Sequence, residues 1–177
     1  MRVLPAVLGP LLLLGGAPPL DGVAGRPATV LARTEGVNIT VPASVSLGSA
    51  FTGGVLNGSL GTVTVEDFRG PVNPNTWVTT VTATAFVTGA GGAGRTIANG
   101  QVSYWSGQAV RSTGGGTLVP GQPTSAQAVP LDAARVAFSK TAGNGNNTVS
   151  WAPTLRIAVP SGIVAGTYRG TITHSVA

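Results

Sequence analysis

Apolar and polar residues alternate along much of the chain, and glycine, proline and asparagine separate the alternating stretches. A period of two places successive side chains on opposite faces of an extended strand. By this criterion we predict strands within 37–47, 60–68, 77–87, 101–106, 148–159 and 167–176. No segment has the period of a long amphipathic helix. The residues of 131–138 allow a single helical turn, with a strand favoured in their second half.

The composition agrees with a chain built from strands and tight turns. The 177 residues include 23 valines and 22 threonines, which are β-branched, together with 27 glycines and 13 prolines, which suit turns. Because 42% of the residues are hydrophobic and only 8% are charged, the composition does not resemble that of a disordered chain. Roughly six to nine short strands predict an all-β fold, an antiparallel β-sandwich with immunoglobulin-like or related Greek-key topology.

The first residues have the pattern of a secretory signal peptide. A positive side chain at Arg2 precedes an apolar run over 3–14, and small residues follow near 22–24. We therefore predict a signal peptide over 1–24 and a single β-sandwich domain over 25–177; the alternative is a buried strand or an N-terminal anchor. No later apolar stretch approaches the roughly 20 residues of a membrane helix, so we expect no membrane span after cleavage. A secreted chain without cysteine fits a bacterial exterior.

Side chains that could carry catalysis are scarce. The acids of the predicted mature chain are Glu35, Glu66, Asp67 and Asp132, and His174 is the single histidine. One histidine, no cysteine and scattered acids predict no metal site and no cofactor. No serine lies in a Gly-x-Ser-x-Gly motif. We expect a protein that is not an enzyme; an exported hydrolase using a serine and His174 is the catalytic alternative.

The charge of the chain suggests which partners it meets. The formal net charge is +5, but the arginines are spread singly along the sequence, which argues against a nucleic-acid partner. An exported basic protein would meet an anionic surface such as a cell wall. The arginines could equally serve to keep a charge-poor sandwich in solution.

Two stretches resemble the WxL domain, a cell-surface module of Gram-positive bacteria. The first, 65–70, reads Val-Glu-Asp-Phe-Arg-Gly and precedes Trp77-Val78-Thr79, like the family's Asp-x-Arg-Gly turn before its first Trp-x-Leu motif. The second, 166–176, resembles the family's C-terminal Gly-x-Tyr strand, and 151–160 resembles its penultimate strand. The resemblance covers about 62–176. Thr79 replaces the leucine or valine of the first motif, and the second motif is degenerate, with His174 and Val176 in place of its tryptophan and leucine.

The resemblance implies non-covalent attachment to peptidoglycan, with the two tryptophan motifs implicated. By this analogy the candidate ligand-binding residues are Trp77, Asp67, Arg69, Tyr168, His174 and Val176. The residues themselves also allow structural roles, because Trp77 shares an apolar face, Asp67 and Arg69 can brace a turn, and His174 can be a hydrogen-bonded core histidine.

A third tryptophan is the best candidate for exposure. Trp105 lies on the opposite side of its predicted strand from Val102 and Tyr104, so we expect it to be partly exposed. Trp151 shares its face with Val149 and other apolar residues and is expected in the core.

These observations together predict a secreted bacterial surface protein that associates non-covalently with a cell-wall polymer, peptidoglycan, with other surface proteins as further candidate partners. The alternative is a structural subunit of a surface fibre or appendage, because a terminal strand leaves an edge that can pair with a neighbour by β-strand addition.

Overall fold

The computed structural model describes residues 2–7 and 36–177, and within them all regular elements are strands apart from two short 3-10 turns, Asn99–Gln101 and Ser125–Gln127. The predicted cleavage after Ala24, the arginines at 26 and 33, and Glu35 lie outside the described residues. The strands of the described residues are β1 (Arg2–Val7), β2 (Val37–Thr40), β3 (Val55–Ser59), β4 (Val63–Asp67), β5 (Trp77–Ala83), β6 (Phe86–Val87), β7 (Thr96–Ile97), β8 (Val102–Trp105), β9 (Ala109–Thr113), β10 (Thr117–Pro120), β11 (Val129–Pro130), β12 (Arg135–Ala142), β13 (Asn147–Trp151), β14 (Thr154–Ala158) and β15 (Thr171–Val176).

The strands form an all-β sandwich of antiparallel sheets, which confirms the predicted fold class. One layer is a five-stranded sheet in the order β1-β15-β5-β12-β10. The opposing layer consists of two four-stranded sheets, β2-β4-β13-β9 and β11-β8-β14-β3, and β6 and β7 form a short separate hairpin. No helix in the described part of the chain is long and apolar enough to cross a membrane.

The two four-stranded sheets share three stretches of chain that pass from one sheet into the other. These stretches are 55–67, 102–113 and 147–158, and they lie side by side in antiparallel register. The last of them breaks at Pro153, which has no backbone N–H for a ladder and whose carbonyl accepts a hydrogen bond from the Leu60 N–H at 2.9 Å. The predicted single strand over 148–159 is therefore two strands in two sheets.

The core lies between the two layers and is rich in aromatic rings. Phe138 of β12 stacks on Trp151 of β13 with ring centroids 4.9 Å apart, and Trp77 lies against Phe138 at 6.5 Å. All three side chains are buried. Because Trp77 and Phe138 belong to the five-stranded sheet and Trp151 to the opposing layer, these contacts join the layers.

Several strands differ from the sequence prediction in extent. The predicted strand 77–87 ends at Ala83, and the face reverses beyond it, so that Phe86 is buried and Val87 exposed. The last strand begins at Thr171, four residues later than predicted, and Arg169 before it makes only an isolated bridge to Val87. Apart from β1, five strands were not predicted: β7 and β11 have only two residues each, and the side chains of β3, β9 and β10 are small, polar or exposed.

Candidate functional site

Most of the first predicted motif gathers at one end of the sandwich. Asp67 ends β4, Trp77 begins β5, and the turn between them contains Arg69 and Asn75. Asn147, the first residue of β13, pairs with Asp67 in register. We call these five residues the Asp67 cluster.

An ion pair holds the turn of the Asp67 cluster. Arg69 donates from Nε to Asp67 Oδ1 at 3.0 Å and from Nη2 to Oδ2 at 2.9 Å, while the Arg69 backbone N–H donates to Oδ1 at 3.1 Å. Nη2 also donates to Asn75 Oδ1 at 2.7 Å and to the Thr76 carbonyl at 2.8 Å. Because the planar guanidinium donates to several acceptors at once, it fixes the conformation of the connection from β4 to β5. The prediction that Asp67 and Arg69 brace a turn is confirmed.

Asn147 connects the ion pair to the core tryptophan. Its Nδ2 donates to Asp67 Oδ2 at 3.3 Å, and its Oδ1 accepts a hydrogen bond from Trp77 Nε1 at 3.1 Å. Trp77 belongs to the five-stranded sheet and Asn147 to the opposing layer, so this bond crosses between the layers. The Asp67 cluster is thus both a turn brace and a polar tie between two sheets.

The charges of the cluster favour the ionised carboxylate. Burial alone would raise the pKa of the Asp67 carboxyl, but the hydrogen bonds and positive charge of Arg69 outweigh burial and hold that pKa below its usual range. The hydrogen bond to Asp67 and the negative charge of that carboxylate raise the pKa of the Arg69 guanidinium. Asp67 itself is fully buried, whereas about a third of the Arg69 side chain is exposed.

Two members of the cluster were missed by the sequence analysis. Asn75 and Asn147 are buried, although Asn147 lies just before the predicted strand 148–159 and Asn75 just before the predicted strand 77–87. Asn147 instead starts β13 on the same face as Val149 and Trp151. Extending the period of two backwards from Trp151 would have placed Asn147 on the buried face. No comparable signal marks Asn75, because its burial depends on the fold of the turn.

The residues predicted from the second motif lie elsewhere. His174 and Val176 are both 3% exposed, on the inner face of β15. His174 Nε2 forms a hydrogen bond with the Tyr104 hydroxyl at 3.2 Å, and that hydroxyl also accepts from Trp151 Nε1 at 3.4 Å. His174 is therefore a hydrogen-bonded core histidine whose partner is a tyrosine and not a serine. The half-buried Tyr168 donates from its hydroxyl to the Val164 carbonyl at 2.7 Å, away from both groups.

A second candidate site lies on the outer face of the sheet formed by β11, β8, β14 and β3. Trp105 is half-buried, whereas Trp77 and Trp151 are buried, as predicted. Trp105 pairs with Thr154 across the strands, and two residues along, Arg156 lies between Ser103 and Asn57. Paired residues share a face, so these five side chains form one surface, which we call the Trp105 face.

A groove lies on this outer face at Ser103 and Arg156, and Trp105 is not among its lining residues. Its volume is about 410 Å³, and its lining includes Ser103, Arg156 and the 3-10 turn at Ser125 and Ala126. This volume is within the range of small-molecule sites. The surface combines an aromatic ring, hydroxyl and amide groups and one exposed cation. Of these residues only Trp105 was predicted as a site residue; polar residues at alternate positions of a strand are the only sequence signal for the others.

Comparison with protein-family models found no match to this chain, and comparison with curated proteins found none either. Within the described ranges, no group of three or more histidine, cysteine, aspartate or glutamate side chains could hold a metal ion. The resemblance to the WxL domain therefore depends on the two sequence motifs alone.

We predict that Arg69→Ala destabilises the fold by roughly 2–4 kcal/mol, because it leaves a buried carboxylate without its cation. Chemical denaturation at neutral pH measures the change in the free energy of unfolding. Arg135→Ala is the matched control, since its partner Asp132 is exposed, and such surface pairs contribute about 1 kcal/mol or less. Equal effects of the two substitutions would contradict the role assigned to Asp67.

We predict that His174 makes stability depend on pH between about 6.5 and 4. Burial lowers the pKa of His174 from 6.5 to about 4, so the unfolded chain binds a proton at a higher pH than the folded chain. The contribution of His174 to the free energy of unfolding is then fully present above pH 6.5. The free energy of unfolding falls by up to about 3 kcal/mol as the pH approaches 4.

The variant His174→Gln keeps a hydrogen-bonding side chain that does not titrate. Its free energy of unfolding should change less with pH over this interval than that of the wild type. Parallel curves for the two proteins would show that His174 is protonated equally in the folded and unfolded states.

Proposed function

We propose that this protein is a secreted bacterial surface protein that associates non-covalently with cell-wall peptidoglycan through a WxL-like domain. Its role is binding rather than catalysis. The resemblance in sequence is supported by the Asp67 cluster, in which the Asp-x-Arg-Gly turn and the tryptophan that follows it form one hydrogen-bonded unit. The residues of the motif therefore act together, although they are not adjacent in the chain.

The Trp105 face is the observation that carries the binding proposal. An indole ring offers an apolar plate against which the C–H face of a sugar ring can stack, and its N–H remains available as a donor. Ser103, Asn57 and Thr154 supply hydroxyl and amide groups on the same surface. The exposed Arg156 suits the carboxylates of wall peptides or other wall anions.

The other predicted residues support this surface from the interior of the sandwich. Trp77 is 1% exposed, so in this structure its ring contacts the core and not solvent. Tyr104 lies between Ser103 and Trp105 on β8 and faces inward, where it bonds His174. We therefore assign Trp77, Asp67 and Arg69 to positioning of the strands, His174 and Val176 to the core, and ligand contact to the outer face.

We expect Trp105→Ala to weaken sedimentation with purified peptidoglycan about 5–10-fold, because an aromatic stacking contact contributes roughly 1–1.5 kcal/mol. Arg156→Gln should also weaken binding, and the loss should shrink at high salt. Arg111→Gln is the control, since Arg111 is equally exposed but lies on β9. Circular dichroism checks that each variant folds. The wild type remaining in the supernatant, or Trp105→Ala binding as the wild type does, would count against the proposal.

One observation favours the alternative function, a fibre subunit that assembles by strand addition. β1 lies along the outer edge of β15 in antiparallel register, from Arg2 opposite Val176 to Val7 opposite Thr171. The edge of β15 therefore accepts an added strand. If residues 1–24 are removed as predicted, the backbone groups on this edge lose their partner and become available to another chain.

Under this alternative, a chain beginning at residue 25 should assemble with rising concentration, which light scattering would detect. A peptide of residues 2–7 should suppress assembly by occupying the edge of β15, and a peptide of the same residues in scrambled order should not. A chain from residue 25 that stays monomeric at all concentrations would exclude strand addition at this edge.

A further inference from the structure

Lys140 is the single lysine of the sequence, and it lies in the core. Its side chain is 1% exposed, and Nζ has no hydrogen-bond partner. All nine other basic residues are arginines. An ammonium group buried without a partner is costly, and a lysine used only for solubility would lie at the surface. The position of Lys140 therefore requires a specific explanation.

The strand register places the Lys140 side chain next to the Asp67 cluster. Lys140 of β12 lies directly opposite Trp77 of β5, so both side chains project from the same face of the five-stranded sheet. The Trp77 indole on that face reaches Asn147 in the opposing layer. By this register the Lys140 side chain lies beside the indole of the Asp67 cluster.

The loop above Lys140 holds its stem in place. A side chain at Gly116 would begin 2.4 Å from Lys140 Cε and 2.4 Å from the Ala142 carbonyl oxygen. Glycine is thus needed at 116 for the loop to close over the lysine, and its φ of +125° also favours glycine. The amine at the end of this stem is buried.

The Asn147 side chain is arranged as an electrophile. Its carbonyl oxygen accepts from the Trp77 N–H, which polarises the carbonyl and would stabilise negative charge that develops on it. Its nitrogen donates to Asp67 Oδ2, so a carboxylate is already in contact with the group that would leave. The nitrogens of Asn75 and Asn147 both donate to the Gly145 carbonyl, at 3.1 and 3.5 Å, but the bond to the Asp67 carboxylate is made by Asn147.

We propose that Lys140 and Asn147 form an intramolecular isopeptide bond. The neutral Lys140 Nζ attacks Asn147 Cγ, a C–N bond forms, and the bond from Cγ to Nδ2 breaks. Of the two protons on the amine, one stays on the new amide and the other passes through Asp67 to Nδ2, which leaves as ammonia. No oxidant, metal or further reactant is required.

The electrostatics of the site favour this step. Burial lowers the pKa of Lys140, and the nearby Arg69 lowers it further against the opposing effect of Asp67, so more of the amine is in the nucleophilic form. In the product, the carbonyl keeps its bond from Trp77, and the new N–H replaces the Asn147 nitrogen as donor to Asp67. The amine that has no partner before the reaction then has one.

Intact-mass measurement on the denatured full-length chain, or on its secreted form, tests the bond directly. We expect a mass below that of the sequence by one ammonia molecule. Trypsin should fail to cut after Lys140, so that the digest contains one cross-linked peptide of residues 136–156 in place of 136–140 and 141–156. Lys140→Met and Asn147→Ala should each restore the full mass, and Asn75→Ala should retain the loss.

Two results would overturn the proposal. One is a folded protein, with native circular dichroism, that has its full mass and is cut after Lys140. The other is loss of ammonia with normal cleavage after Lys140, which would indicate a cyclised asparagine at an Asn-Gly pair such as 144–145. Mild alkali distinguishes a cyclic imide from an isopeptide bond, because it hydrolyses the imide and leaves the isopeptide bond intact.

Discussion

The hydrogen bond between the Trp77 indole and Asn147 is the interaction on which the two layers depend at this end of the sandwich. It joins a large core side chain to a polar group that is itself held by Asp67, and Asp67 is held by Arg69. Each link is buried or nearly so, and each leaves a polar group unsatisfied if its partner is lost. A sandwich without cysteine thus has a polar tie between sheets where a disulfide could otherwise lie.

The polar side chains of the molecule fall into two groups, one in the interior and one on the outer face. The Asp67 cluster and the pair of His174 and Tyr104 organise the interior, while the outer face around Trp105 remains free to meet a ligand. Strand β8 contributes to both the interior and the outer face, since Tyr104 points to the core and Trp105 to the outer face. The binding surface proposed for this face would be built on strands, which hold side chains more rigidly than loops do.

The sequence analysis predicted the parts of the fold that follow from alternation alone. The buried faces of β5, β8 and β15 were of this kind, whereas the turn brace at Asp67 and Arg69 followed from the chemistry of those two side chains. It missed the burial of Asn147 and Asn75, because a polar residue is ordinarily assigned to the surface and becomes buried only when distant segments supply its partners. It also missed that the chain passes from one sheet to another at Pro153, since the apolar face continues across that position.

The enclosure of the only lysine determines how this protein can be labelled and attached. Reagents that couple to amines find no ε-amino group at the surface, so the α-amino group is left as the point of reaction. A fluorophore, a biotin or a sensor surface introduced in this way would be joined at a single defined position.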